Sequence, residues 1–156
     1  MSAIKLEVVT PEKAVLSEFA DDVVLPGVLG QMDILPGHLP LLSLLDVGQM
    51  EVRKGGQVRY FLISQGYVEV SDDKVTVLTE LCEGVNDIDI EQARGALKDL
   101  EKELLDLEEV SKSETVEEEV FRKHRLALKK QRERVAFAEE RGGKTSGGGQ
   151  EARYDR

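Results

Sequence analysis

The side chains that could perform catalysis are few in this chain, and their spacing does not form a reactive group. The two histidines are His38, in a proline-flanked turn, and His124, in a strongly charged segment. Neither lies at a spacing that suggests metal ligation or a nucleophile with its base. Cys82 is the only cysteine, and its apolar neighbours predict a small buried thiol. The sequence therefore predicts no catalytic residue and no metal site, and we do not expect the chain to be an enzyme by itself.

A second candidate for chemistry is Gly143-Lys144-Thr145, which is similar to the end of a phosphate-binding loop. That motif needs a glycine where this chain has Ala138, and it follows a strand, whereas the residues before it here have a helical pattern. We therefore do not expect nucleotide hydrolysis at this position. The segment around it, residues 142–156, is rich in glycine, serine and charge, which predicts a disordered tail.

The bulk composition restricts the classes of partner. The chain has 156 residues, enough for one core and one further small element, and its formal net charge is -10. An acidic surface repels phosphate backbones, so nucleic-acid binding is not expected. The N-terminal residues have neither a signal-peptide nor a transit-peptide pattern, and no apolar run approaches the ~20 residues that span a bilayer. Any membrane association is expected to come through partner proteins.

The pattern of apolar residues up to position 86 predicts β-strands. Short runs rich in Val, Ile and Leu are separated by turn-forming residues, and Lys54-Gly55-Gly56 and Ser71-Asp72-Asp73-Lys74 are typical of hairpin turns. Pro26-Gly27 and Pro36-Gly37 also predict tight turns. We therefore expect residues 1–86 to form an antiparallel β-sandwich or barrel. Its predicted core is aliphatic and comprises Leu6, Val8, Val24, Ile34, Leu42, Val52, Ile63, Val68 and Val77.

Residues 87–141 have a helical period instead. An apolar seam with steps of three or four positions predicts a first helix, and it comprises Ile90, Ala93, Leu97, Leu100, Leu104 and Leu107. Asp87 or Asp89 can cap the N-terminus of this helix. Residues 111–115 interrupt the pattern, and a second helix is predicted from Val116 to Arg141. Two helices joined by a short turn should form an antiparallel hairpin.

The second predicted helix has a weaker seam and a basic surface. Its seam alternates apolar with polar or small residues, namely Phe121, Leu128 and Val135 with His124, Gln131 and Ala138. Residues 122–134 are basic whereas residues 99–119 are acidic, so pairing of the helices would place opposite charges side by side. A half-polar seam predicts a hairpin that can open without unfolding of the sandwich.

Several motifs of the strand region carry a resemblance to a known family. They are Val8-Val9-Thr10-Pro11-Glu12-Lys13, the segment around Leu35-Pro36-Gly37-His38, Ile63-Ser64-Gln65-Gly66-Tyr67-Val68-Glu69-Val70 and Val75-Thr76-Val77-Leu78. Through them the chain resembles the epsilon subunits of the bacterial F-type rotary ATP synthases, from about Ile4 to Ala138. The resemblance implies a non-catalytic central-stalk subunit, one copy per complex, that links the gamma subunit to the c-ring. It also implies a peripheral position on the cytoplasmic face of the bacterial inner membrane.

The same resemblance assigns partner-binding residues. It implies that Gly30-Gln31-Met32-Asp33 lies near the c-ring and that His38 lies near the gamma subunit. Asp33 stands where the family usually has glycine, so we expect a local change of turn and an altered ring contact without loss of the fold. The hairpin is implied to extend into the catalytic head of alpha and beta subunits and to inhibit ATP hydrolysis, with its basic face meeting acidic loops of the beta subunits.

Some members of this family also bind regulatory ATP on the folded hairpin. This chain matches their motif at Asp89 and Ala93, but Gln92 stands in place of an arginine. On the second helix Arg134 matches a basic position and Lys130 replaces another arginine. Because glutamine and lysine lack the planar fork of a guanidinium, ATP binding is expected to be weak or absent, and no cofactor is predicted.

Two other functional classes remain open on the sequence alone. A generic scaffold could use the sandwich and the charged hairpin to recruit unrelated partners, although it would not need the Leu35–His38 turn. A small-molecule-binding barrel would need a cavity lined by aromatic and polar side chains. Only 4% of the residues are aromatic, so the composition gives this class little support.

Overall fold

The computed structural model describes residues 2–142, which form a ten-stranded β-sandwich followed by two helices. The strands are β1 (Ile4–Val9), β2 (Ala14–Ala20), β3 (Asp22–Gly27), β4 (Gly30–Ile34), β5 (Leu41–Leu45), β6 (Gly48–Lys54), β7 (Gln57–Ile63), β8 (Gly66–Ser71), β9 (Lys74–Thr79) and β10 (Cys82–Gly84). A short 3-10 helix over Val85–Asp87 leads to α1 (Ile90–Val110) and α2 (Glu118–Arg141). The Gly143-Lys144-Thr145 segment and the tail predicted beyond Gly142 lie outside the described residues.

All ten strands belong to one hydrogen-bonded sheet. The strand order is β10-β7-β6-β3-β5-β8-β9-β1-β2, and β4 pairs with β3. An ion pair between Glu18 of β2 and Arg59 of β7 links strands from the two ends of this order. The pairings are antiparallel, as predicted, apart from that of β1 with β9, which is parallel. These two strands are distant in the chain, so no short turn forces them to run in opposite directions.

The hairpin turns of the sandwich follow the turn chemistry of the sequence. Gly55-Gly56 joins β6 to β7 and Asp72-Asp73 joins β8 to β9, with positive φ at both central residues of each turn. A two-residue hairpin turn of this kind requires that conformation, so both predictions are confirmed. The Pro36-Gly37 turn is also confirmed: Gly37 has a φ of +80°, and the backbone N–H of His38 donates to the carbonyl of Leu35.

The prediction of a turn at Pro26-Gly27 is wrong. Both residues lie within β3 and pair with Gln31 and Gly30 of β4, and the turn falls at Val28-Leu29. A proline is tolerated here because β3 pairs with β6 only over residues 22–24 and with β5 only at Gly27. The missing N–H of Pro26 therefore interrupts no continuous ladder on that side.

The core of the sandwich is aliphatic, as predicted, with one exception. Every predicted core residue is buried except Leu42, whose side chain is 74% exposed. The segment Leu41-Leu42-Ser43-Leu44-Leu45 has leucines on both faces of a strand, and its register turns Leu45 inward and Leu42 outward. When both faces of a strand are apolar, the alternation of side chains along it does not show which face points to the core.

The two helices form the predicted antiparallel hairpin. Asp89 caps α1, its Oδ1 accepting a hydrogen bond from the backbone N–H of Gln92 at 3.0 Å. The predicted start of α2 at Val116 is two residues early, since the helix begins at Glu118. The polar residues of its seam are paired: Gln131 Nε2 donates to the carbonyl of Ala93 at 2.9 Å, and His124 Nε2 lies 3.6 Å from Glu103.

The base of the hairpin packs on the sandwich through a second apolar cluster. This cluster joins Leu62 and Ile88 to side chains of both helices, namely Ile90, Ala93, Val135, Phe137 and Ala138. Phe137 is the largest fully buried side chain among residues 2–142 and lies off the predicted α2 seam, on the helix face toward the sandwich. Full burial of such a side chain stabilises by ~1.5–3 kcal/mol, so Phe137 is the main apolar anchor of α2.

We predict that Gly66→Ala destabilises the sandwich. A Cβ at Gly66 would lie 1.8 Å from the carbonyl oxygen of Leu78 on β9, and only a backbone shift can relieve that overlap. The expected loss in the free energy of unfolding is ~1–3 kcal/mol, measured by urea denaturation.

Gly95→Ala is the matched control, because no atom lies within 4 Å of its added Cβ. Removal of a glycine from α1 should stabilise by up to ~1 kcal/mol. Equal effects of the two substitutions would contradict the close approach of β8 and β9.

Candidate partner-binding sites

The four residues assigned to the c-ring all lie in β4, directly after the Val28-Leu29 turn. Gly30 has a φ of +133°, which glycine adopts freely, and it follows the Val28-Leu29 turn. Leu29 is fully exposed at the tip of this turn. Along β4, Gln31 is exposed whereas Met32 packs against the sandwich core. The turn therefore presents an apolar tip and a polar backbone to solvent.

Asp33 does not alter a turn, so that prediction is wrong. It lies in regular antiparallel pairing with Val24. Its carboxylate is 3.8 Å from Arg53 Nη1 on β6, and the same guanidinium lies 3.4 Å from Asp22 and 2.9 Å from Glu51. Three carboxylates thus share one cation beside the residues assigned to the c-ring. Over residues 2–142 no group of three or more acidic, histidine or cysteine side chains has a geometry that could hold a metal ion.

His38 lies at the opposite end of β4 from Gly30, so the structure separates the two assigned partner sites. The His38 ring Nδ1 is 2.6 Å from the carbonyl oxygen of Leu39, to which it donates in the Nδ1-protonated tautomer. The backbone N–H of Gly37 donates to the carboxylate of Asp73 at 2.6 Å, which ties this loop to the β8–β9 turn. The loop is held in place from both sides.

An exposed apolar surface joins the two assigned sites, and we call it the apolar band. It runs along β5 from the His38 loop to the Val28-Leu29 turn and continues onto β8 and β9. Leu44 lies directly opposite Tyr67, and Tyr67 lies directly opposite Leu78, so these three side chains form one row across three strands. The band comprises Val28, Leu29, Leu35, Leu39, Leu42, Leu44, Tyr67 and Leu78, which are 47% exposed or more.

The sequence contained a signal for part of this band. Val68 and Val77 were predicted to face the core, and in a strand the residues next to them must then face the other side. Those neighbours are Tyr67 and Leu78, and both are exposed. Around them lies a groove of about 610 Å³ that is lined by Val28 and Leu44 as well as by the polar residues at its end. An exposed apolar surface of this kind is typical of a protein-binding site.

Three of the seven cations in residues 122–134 of α2 pair with the sandwich, which the charge pattern does not predict. The predicted pairing of basic α2 with acidic α1 is confirmed at Arg132 with Glu101. Arg94 with Glu139 is a further interhelical pair, in which α1 supplies the cation. However, Lys129 binds Asp46, which follows β5, at 2.8 Å. The remaining two pairs to the sandwich are Lys130 with Glu80 and Arg134 with Glu83.

The residues assigned to regulatory ATP each have a partner within the chain. Asp89 caps α1, as described above, and Lys130 Nζ donates to Glu80 at 2.7 Å. Arg134 binds Glu83 through two nitrogens, Nε at 2.9 Å and Nη2 at 3.1 Å. The structure places Lys130 and Arg134 on one face of α2, one turn apart, and both face the segment from β9 to β10.

Cys82 is a partly buried thiol that packs against the sandwich core. Burial, together with the nearby charges of Asp87 and Glu83, raises its pKa to about 12. The thiol is therefore protonated at neutral pH and a poor nucleophile. This agrees with the prediction that Cys82 serves packing.

Comparison with known proteins identifies the family. A family model described as ATP synthase, Delta/Epsilon chain, beta-sandwich domain, matches residues 3–85, which are more than half of the chain. The chain belongs to the ATP synthase delta/epsilon family. The strands that form the apolar band and the core all lie within the matched residues.

Individual relatives of this delta/epsilon chain extend the likeness into the helices. ATP synthase epsilon chain 2 of Syntrophotalea carbinolica is 48% identical over 104 residues, which cover 67% of this chain and 75% of that protein. The ATP synthase epsilon chain of Citrifermentans bemidjiense is 41% identical over 135 residues, which cover 86% of this chain and 93% of that protein. The chain is thus homologous to epsilon chains, which are non-catalytic subunits of ATP synthase.

A solved structure supports the fold of this delta/epsilon chain. A chain of the Euglena gracilis mitochondrial ATP synthase, in its OSCP/F1/c-ring assembly, superposes with a TM-score of 0.69 at 24% identity. The superposition covers 87% of this chain and 81% of that one. It therefore includes the sandwich and reaches into the helices. Across residues 2–142, neither helix is long and apolar enough to cross a membrane.

We predict that Asp22→Asn stabilises the protein at neutral pH. Asp22 Oδ1 is buried without a hydrogen-bond partner, and desolvation, with the nearby charge of Asp33, raises the pKa of this carboxyl above its ordinary 3.8. Folding therefore penalises the charged form above that pKa, whereas below the unfolded value both states are protonated and no penalty exists. The gain in the free energy of unfolding should be present at neutral pH and shrink as the pH falls through the range of carboxyl titration.

Urea denaturation at neutral and acidic pH measures this difference. The matched control is Glu12→Gln, which removes one negative charge from an exposed position. A gain for Asp22→Asn that is the same at both pH values, or that equals the effect of the control, would contradict a buried and penalised carboxylate.

Proposed function

We propose that the chain is the rotor subunit of a proton-translocating ATP synthase that joins the gamma subunit to the c-ring. In this role it couples rotation of the ring to ATP synthesis elsewhere in the complex, with one copy per complex. Family membership supports the role, and the observation that carries the two-partner arrangement is the apolar band between the two assigned sites. A subunit that transmits torque needs one partner at each end of a rigid surface.

The gamma subunit is proposed to bind the apolar band apart from its Val28-Leu29 end. Leu44, Tyr67 and Leu78 form a central row, and Leu39 extends it toward His38. Aromatic and aliphatic anchors at the centre of an interface carry most of its binding energy. The groove at this surface offers a concave seat for an apolar segment of the partner.

The c-ring is proposed to contact the Val28-Leu29 turn and the polar residues after it. The turn is exposed, and strand pairing of β3 with β4 holds it on the sandwich. Asp33 is anchored by Arg53, so any ring contact made by its carboxylate would have a defined position. Membrane association on the cytoplasmic face of the inner membrane would follow from this contact.

The hairpin is proposed to regulate ATP hydrolysis by leaving the sandwich and entering the catalytic head. Apart from Leu128, its buried residues lie at its base, whereas the outer half of α1 has only half-buried and exposed residues. Regions with few buried contacts open at lower free energy than the core does. When released, the basic residues of α2 would face acidic surfaces of the alpha and beta subunits.

No cofactor is proposed for this chain, and ATP is proposed to be a weak regulatory ligand at most. Gln92 cannot supply the paired hydrogen bonds of an arginine, and Arg134 is engaged by Glu83. Isothermal titration calorimetry of the full chain should show no submillimolar affinity for ATP. A heat signal that saturates below one millimolar would overturn this proposal.

Native mass spectrometry of the tagged chain, captured from gently solubilised cell membranes, tests the assignment to a rotor. Co-capture of the gamma subunit, the catalytic subunits and a c-ring, with one copy of this chain, is the expected result. Recovery with unrelated proteins would favour the scaffold instead. Because of the groove, a small-molecule-binding site is a second alternative. A small ligand that stays bound to the captured chain would favour this alternative.

We predict that Tyr67→Asp weakens binding of the gamma subunit by about tenfold or more, because it places a charge in the centre of the apolar band. Biolayer interferometry with purified gamma subunit measures the change. Phe19→Asp is the matched control, since Phe19 is 57% exposed but lies on β2, outside the band. Equal losses for the two variants would show that the band is not the binding surface.

We predict that a chain ending at Asn86 raises ATP hydrolysis by the reconstituted complex. The truncation removes both helices and leaves the strands that form the proposed gamma and c-ring sites. The rate is measured with purified complexes whose subunit content is verified by native mass spectrometry. Unchanged hydrolysis by a fully assembled complex would rule out inhibition by the hairpin and leave the rotor role intact.

A further inference from the structure

Three cations of α2 contact the sandwich within six consecutive helix positions. Lys129 Nζ binds both carboxylate oxygens of Asp46, at 3.0 and 2.8 Å. Lys130 and Arg134 bind Glu80 and Glu83 at 2.7 and 2.9 Å. We call these three pairs the ionic clasp.

The cations of the ionic clasp contact the sandwich from two sides of α2. Lys130 and Arg134 are one helical turn apart and share a face, whereas Lys129 points about 100° away around the helix axis. Asp46 follows β5, and Glu80 follows β9. Since β5, β8 and β9 are neighbours in the sheet, α2 lies across the same end of these three strands.

This arrangement specifies one position of α2. Apolar packing of Phe137 is not directional, so it can tolerate rotation or sliding of the helix. Charge pairs on two sides of a helix cannot all form after such a shift, and charges in general select alignment more than they add affinity. The pair of Arg134 with Glu83 has the most restrictive geometry, because it is bidentate and only 22% and 17% exposed.

We propose that the ionic clasp sets the docked position of the hairpin and makes docking respond to ionic strength and to competing charged surfaces. In this chain carboxylates of the sandwich occupy Lys129, Lys130 and Arg134, so docking needs no bound anion to neutralise these three cations. The inference rests on the proposed regulatory role of the hairpin, but docking is a property of the isolated chain and is tested there.

Spin labels at Ser113→Cys and Gln57→Cys, in a Cys82→Ala background, report the distance from the hairpin tip to the sandwich. Both positions are exposed and outside the clasp. The docked fraction should fall as NaCl rises from about 0.01 M to about 1 M, over which the Debye length drops from ~30 Å to ~3 Å. Amide exchange of the strands verifies at each salt concentration that the sandwich stays folded.

Charge reversal isolates the clasp from general salt effects. Arg134→Glu should reduce the docking equilibrium constant by about tenfold or more, because it sets two carboxylates against each other. The exchanged pair Arg134→Glu with Glu83→Arg should recover docking to within about threefold of the parent protein. Lys112→Glu is the matched control: it reverses a charge whose pair with Glu109 lies at the hairpin tip, away from the sandwich, and should leave docking unchanged.

Two outcomes would overturn the clasp. One is a docked fraction that neither salt nor Arg134→Glu lowers. The other is a docked fraction that millimolar ATP raises at matched ionic strength, since docking would then depend on a bound nucleotide. The docking experiment and the ATP hydrolysis experiment test different proposals. If the clasp controls docking as expected but the hairpin has no effect on ATP hydrolysis, only the regulatory role is refuted.

Discussion

The register of β5 between β3 and β8 is the constraint on which the other features depend. It turns Leu45 into the core and leaves Leu42 and Leu44 on the outer face, so one strand contributes to both the core and the apolar band. At the end of β8 beside Leu45, the close approach of β9 leaves no room for a side chain at Gly66. A shift of one residue would exchange the two faces and bury the partner surface.

The same strand connects the partner surface to the hairpin. Asp46 follows Leu45 directly and binds Lys129, so the end of the apolar band is also a contact point of α2. Apolar packing and charge pairing both attach α2 to the sandwich, and each has a different effect. Phe137 supplies an apolar anchor at the base, while the ion pairs of α2 choose the alignment. The exposed pairs among them are each worth only ~0.2–1 kcal/mol. An element attached in this way can leave the sandwich without disturbing the core.

Much of the molecule was predictable because its signals are local. The strand pattern, two-residue turns at Gly55-Gly56 and Asp72-Asp73, the cap at Asp89 and the seam of α1 each depend on residues close together in the chain. The errors arose where local chemistry was ambiguous. Pro26-Gly27 has the composition of a turn but lies in a strand, because the ladder beside it is interrupted there.

The class of fold, the change from strands to helices and the family could therefore be predicted from the sequence, since periodicity, turn chemistry and motifs depend on neighbouring residues. The tertiary structure decided which leucines of β5 face solvent, that Phe137 anchors α2, and that Lys129, Lys130 and Arg134 bind the sandwich instead of α1. These features join segments separated by as many as 83 positions, and a charge pattern along one helix does not specify which distant carboxylates it will meet. Only packing of the hairpin on the sandwich brings those partners within reach of one another.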